Sequence, residues 1–151
     1  MDKEIIYILL FSAALFAVAV GAGYRGRKKL IESGEVKERR HNFMEYAETF
    51  TLRAITPQQY ISALREFGLM EFAKGNVAEL KLHGDGFEAE ILWLEAPEDV
   101  SKFCFQFLSW RTNERIPMTV LNQNKLLTKI EKMFLKLDPQ TQVTYQKMNV
   151  R

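Results

Sequence analysis

Nineteen consecutive uncharged residues, IIYILLFSAALFAVAVGAG at 5–23, stand near the start of this chain, and no other stretch constrains it as strongly. As a helix rising about 1.5 Å per residue the run reaches about 28 Å, enough to cross the hydrocarbon core of a bilayer. Two readings compete for it. A secretory signal peptide ends in small residues, and Val20-Gly21-Ala22 has that character, but it also begins with cations. Here Met1-Asp2-Lys3-Glu4 is close to neutral, and the basic residues follow the run instead, at Arg25, Arg27, Lys28 and Lys29. Basic flanks are retained in the cytoplasm. The expectation is therefore a single-pass anchor: residues 1–4 outside, 5–23 in the bilayer and everything after them cytoplasmic, with export after leader removal as the alternative.

Charge is spread unevenly over the 151 residues, whose formal net charge is +2. Through Arg40 there are eight Lys/Arg against five Asp/Glu, and from His41 onward thirteen against fourteen. A body so near neutrality lacks the clustered cations that release counterions from a polyanion, so no nucleic-acid partner is expected. Residues 24–42 read as a basic juxtamembrane linker, with Gly26 and Gly34 weakening any continuous helix and the cations able to lie on anionic lipid. Residues 43–151 are of a usual size for one domain. A lone Cys104 forms no disulfide within the chain and no metal site by itself.

Periodicity then orders the body. In residues 43–54, Met44, Tyr46, Phe50 and Leu52 share one parity, the mark of a strand with one buried face. Thr56-Pro57-Gln58-Gln59 combines a capping hydroxyl, a proline at the first helical position and a glutamine that reaches back, so a helix is expected over 57–67 with Gly68 as its left-handed stop. Alternating runs within 77–95 flank His83-Gly84-Asp85-Gly86 and predict a hairpin whose turn residues adopt positive φ. Leu80, Leu82, Phe87, Ala89 and Ile91 should face inward. Beyond Ile91 the alternation fails at Leu92-Trp93-Leu94, which implies burial on both faces or a bulge. Phe103, Phe105 and Phe107 alternate with Lys102, Cys104 and Gln106 in a further strand over 101–111. Leu126, Leu127, Ile130, Met133, Phe134 and Leu137 keep helical spacing up to Asp138-Pro139, and 141–150 reads as a closing strand. The fold class is thus α+β: one transmembrane helix, then β-α-β-β-β-α-β, an antiparallel sheet with two helices on one face, close to a ferredoxin-like plan with an added strand.

No catalytic motif, metal-ligand spacing or nucleotide loop appears, and no cofactor is expected. Cys104 has no neighbouring base in sequence, His83 with Asp85 belongs to a turn, and Glu88, Glu90 and Glu95 read as a solvated strand face. One patch has a physical case beside the membrane flank. Lys125, Lys129, Lys132 and Lys136 form a ridge suited to anionic lipid or an acidic partner surface, with Glu131 and Asp138 nearby to offset it. Eleven Phe, two Trp and five Tyr, together with the edges of an open sheet, favour association with a protein partner or with itself. The functional expectation is a membrane-anchored, non-enzymatic protein-protein interaction or assembly module on the cytoplasmic face. The alternative is a tethered regulatory domain whose aromatic strand face lines a small-ligand pocket.

Overall fold

The computed structural model describes residues 3–148, with side chains from residue 10 onward. Its contacts divide the chain into two compact units, Met1–Glu38 and Arg39–Arg151.

The first unit is built on helix α1, Lys3–Glu32. It runs on past the apolar stretch, so Gly26 does not interrupt the linker as expected: one glycine costs a propagating helix only about 1 kcal/mol, less than nucleating a new one. The stop comes at Gly34, φ 75°. Its N–H donates to Ile31 O at 3.0 Å and the Glu35 N–H to Leu30 O at 3.0 Å, the two bonds of a Schellman motif. Among the described residues no helix is long and apolar enough to cross a membrane. The apolar run expected to do so begins at Ile5, and its side chains up to Leu9 lie outside the described residues, as do residues 149 and 150 of the expected closing strand.

The second unit is an α+β body. Its main strands are β1 (Tyr46–Arg53), β2 (Ala73–Gly75), β3 (Glu79–Gly84), β4 (Phe87–Leu94) and β5 (Val100–Trp110). A short pair follows, β6 (Thr112–Asn113) with β7 (Ile116–Pro117), and β8 (Gln142–Lys147) closes the chain order. Helix α2 spans Pro57–Glu66 and helix α3 Val120–Leu137. Six strands form one antiparallel sheet in the order β2-β3-β4-β5-β1-β8. Thus β1 and β4 run parallel with β5 between them, β5 and β8 run parallel with β1 between them, and the two strand-helix-strand units interleave.

Parity decides the layers. Phe50 and Leu52 of β1, Leu80 and Leu82 of β3, Ala89 and Ile91 of β4, and Phe103, Phe105 and Phe107 of β5 point to one face. There they join Tyr60, Ala63 and Leu64 of α2 and Leu127, Ile130, Met133 and Phe134 of α3 in one core. Aromatic rings fill its centre: Phe50 stacks on Phe134 at 4.6 Å, and Phe103 lies 4.7 Å from Tyr60 and 4.8 Å from Trp93 between centroids. Neither α2 nor α3 covers the other face, which carries Thr49, Thr51, Lys81, Glu90, Cys104 and Gln106.

Local signals set the boundaries. Thr56 and Gln59 make the reciprocal capping box at α2, and Gly68, φ 67°, ends it with a second Schellman stop that seats Leu69 in the core.

Several expectations are corrected. Phe43–Glu45 is a 3-10 turn ahead of β1, although it still buries Met44. In the β3–β4 turn only Gly86 has positive φ, 78°, so Asp85 is not held there for that reason. The register shift falls at Glu88/Ala89 rather than beyond Ile91, and Leu92, Trp93 and Leu94 are half-buried rather than enclosed. The sheet has six strands, not five, because the three-residue β2 pairs with β3 without any apolar alternation of its own. Helix α3 starts at Val120, well before its periodic stretch, since Gln123 and Asn124 are buried polar residues that break the binary pattern.

Candidate functional site

Arg25, Arg27, Lys28 and Lys29 all lie on the exposed last third of α1. At about 100° per residue Arg25, Lys28 and Lys29 fall within about 100° of one another and Arg27 on the opposite side, a loose collar rather than a single stripe. Lys28 faces Glu32 one turn on at 3.8 Å. Lys125, Lys129, Lys132 and Lys136 share the side of α3 away from the core; Lys125 is half-buried and the other three are exposed. Lys136 is tied to Glu66 of α2 by an ion pair. The two groups belong to different units.

Glu131 corrects the picture of the lysine ridge. Instead of offsetting the ridge in water, its carboxylate is turned inward and accepts two bonds from Arg39, Nη1 to Oε1 and Nη2 to Oε2, each 2.9 Å. The guanidinium also donates from Nε to Asn124 Oδ1 at 2.9 Å and from Nη2 to Thr128 Oγ1 at 3.0 Å. Glu48 of β1 lies 3.8 Å away, and Phe43 offers its ring face 5.6 Å from the guanidinium carbon. The Arg39 side chain is only 10% exposed and that of Glu131 6%. The spacing of Asn124, Thr128 and Glu131 puts all three on one helix face, as i, i+4 and i+7 positions must be. Sequence reasoning missed this cluster, yet one signal was there. Glu48 shares the parity of Phe50 and Leu52, and a carboxylate on the apolar parity of a strand demands a buried cation.

The remaining candidates for chemistry are not assembled for it. Cys104 lies half-buried on the face opposite the helices; burial pushes its thiol above the usual range, with the Glu90 charge adding to this and a hydrogen bond with Thr49 opposing it. A nucleophilic cysteine requires the reverse shift. His83 Nδ1 faces Glu88 Oε1 across the hairpin at 3.3 Å, both half-exposed. Glu90 is not solvated as expected but buried, and it accepts a hydrogen bond from Gln106 on the neighbouring strand. Among the described residues no group of three His, Cys, Asp or Glu is placed to hold a metal ion.

Two features of the surface remain. A cleft of about 180 Å³ opens between α2 and α3, with Arg53, Phe67 and Met133 in its walls and the Lys136–Glu66 pair at its side. The second is the free edge of β8. Met148 N–H donates to Glu45 O at 2.8 Å, which makes 45 and 148 a hydrogen-bonded pair, so by alternation 142, 144 and 146 bond toward β1. The N–H and C=O groups of Val143, Tyr145 and Lys147 therefore point away from the sheet. Tyr145 is 62% exposed despite lying on the helix-side parity. At the opposite end β2 is only three residues long.

Fold and surface together define a two-layer α+β body with one blunt and one open sheet edge. Comparison with protein-family models, with curated proteins and with solved structures returned no match to this chain.

Proposed function

We propose that this chain is a membrane-tethered, non-enzymatic protein-protein interaction or assembly module acting at the cytoplasmic face of a membrane. The observation that carries the reading is the open edge of β8, a six-residue strand whose outward backbone groups have no partner strand among the described residues. Edges of this kind recruit another strand, and native folds otherwise shorten, charge or cover them. Support for the tether comes from the apolar run at 5–23 and from the cation collar that follows it on the same helix. Some nine residues of α1 continue beyond the run, about 13 Å of helix, which sets the collar at and just past the headgroup layer, where it meets anionic lipid. Confinement to a membrane raises the effective concentration of co-anchored partners without any new contact. The interleaved strand order supports a ferredoxin-like plan extended by β3 and β2.

A tethered small-ligand sensor has less behind it. The aromatic strand face is packed against α2 and α3 rather than lining a pocket, and the cleft of about 180 Å³ falls below the roughly 300–1,000 Å³ usual for ligand sites.

The test uses the full chain with a carboxyl-terminal tag in intact, wall-stripped cells. Expected are resistance to alkaline carbonate extraction, a tag protected from external protease, full intact mass, and cross-linked species larger than the monomer in membranes. An accessible tag, or a mass lacking roughly the first 20 residues of a removed leader, would make this an exported domain. A monomer at every concentration would end the assembly reading.

A further inference from the structure

We infer that the occupant of the β8 edge is a second copy of this chain, paired antiparallel through β8 about a two-fold axis at Thr144. The inference rests on the assembly reading above and adds to it the partner and the register.

A two-fold axis normal to the sheet sets strict conditions on self-pairing. Directly opposed residues share a face, so a residue must meet either itself or one of its own parity. The hydrogen-bonded pairs must also fall among 143, 145 and 147, whose backbone groups point outward. With Thr144 on the axis both conditions hold. Thr144 meets Thr144 of the second copy at a non-hydrogen-bonded position, Val143 meets Tyr145 twice, and Gln142 meets Gln146 twice. The strand Gln142-Val-Thr-Tyr-Gln146 reads the same from both ends in chemical terms: amide, apolar, hydroxyl, apolar, amide.

Each of these pairs is favourable across strands, the β-branched and aromatic pair most of all. No like charges face each other, because Lys147 falls opposite Thr141. Centring on Tyr145 instead would set Val143 against Lys147. Tyr145, exposed although it lies on the helix-side parity, gains an apolar neighbour in Val143 of the copy. About four backbone hydrogen bonds form, two per hydrogen-bonded pair. The segment has no proline or bulge, and a single lysine at its end is its only guard.

The experiment places Thr144→Cys in the full-length chain and oxidises it in membranes. Opposed Cα atoms at a non-hydrogen-bonded position lie about 4.5 Å apart, within disulfide reach. A covalent dimer is expected for T144C, and none for the parent chain, whose one thiol is Cys104, or for Tyr145→Cys. Separately, Tyr145→Pro removes an outward N–H while leaving the ladder to β1 intact. It should lower the cross-linked dimer of the otherwise unmodified chain at least about tenfold, since it removes half of the new backbone bonds. If Y145P fails to fold, T144C decides alone. A disulfide in Y145C but not in T144C overturns the register and with it the inference. Larger species that ignore Y145P, with T144C unlinked, overturn edge pairing and leave the assembly reading standing; a parent chain that stays monomeric ends both.

Discussion

A buried guanidinium must be matched on its N–H groups, and Arg39 has Glu131, Asn124 and Thr128 arranged to do it. Removing one member of such a set strands the others in a low-dielectric site, which costs more than the intact set contributes. Arg39→Ala is expected to lower unfolding free energy by about 3–5 kcal/mol, read from urea denaturation, whereas Lys129→Ala on the exposed ridge should change it by less than about 0.5 kcal/mol. Tyr60 presents the opposite case. Its ring is packed in the aromatic core, burial holds its phenol well above the usual range, and its hydroxyl has no hydrogen-bond partner among the described residues. Tyr60→Phe keeps the ring and deletes the stranded hydroxyl, so stability should rise by about 1 kcal/mol, seen as a higher melting temperature. A drop instead would mean that the hydroxyl is satisfied by water.

Among the elements, the end of α3 is joined to β1 through Asp138, whose carboxylate accepts from the Arg53 N–H at 2.9 Å and from the Gln140 N–H at 2.9 Å. These bonds, with the Arg53 charge in a smaller role, hold its carboxyl below the usual range. A depressed folded value means that the contribution is complete above the unfolded value near 4 and is lost as pH falls through the folded one. Asp138→Asn should therefore flatten the loss of stability below about pH 4 in an acid titration followed by circular dichroism. The β6–β7 turn carries strain instead: Glu114 and Arg115 both have positive φ, 49° and 68°, where a type I′ turn favours Asn-Gly. Replacing the two with Asn and Gly is expected to raise stability by roughly 1–2 kcal/mol in the same denaturant assay. This turn was invisible in the sequence because neither residue announces it. Helix α2, the β3–β4 hairpin and the phenylalanine face of β5 were legible because cap, turn and period agreed there. What escaped were β2, too short to show a period, the first turns of α3, where Gln123 and Asn124 contradict the apolar stripe, and the Arg39 cluster, whose hydrogen-bonding partners stand 85–92 positions away and whose one local sign was Glu48 on the apolar parity of β1.

For the molecule as a whole, the compact body begins at Arg39, ahead of the strand that periodicity marks at 43. A fragment starting at Arg39 should unfold cooperatively by itself, whereas one starting at Asn42 should lose about as much stability as Arg39→Ala, on the order of 3–5 kcal/mol, in urea titration of both. The position of that boundary also decides how the body answers mechanical load. A tug along the chain from its amino-terminal side enters the body at Arg39 and is met there by paired ionic bonds before β1 takes any strain. Behind that clamp, β1 is hydrogen-bonded to β5 on one side and β8 on the other, so drawing it out must break two ladders, whereas a strand at the rim is held by one. Force applied at this end therefore falls on an interior strand of the sheet and not on its rim.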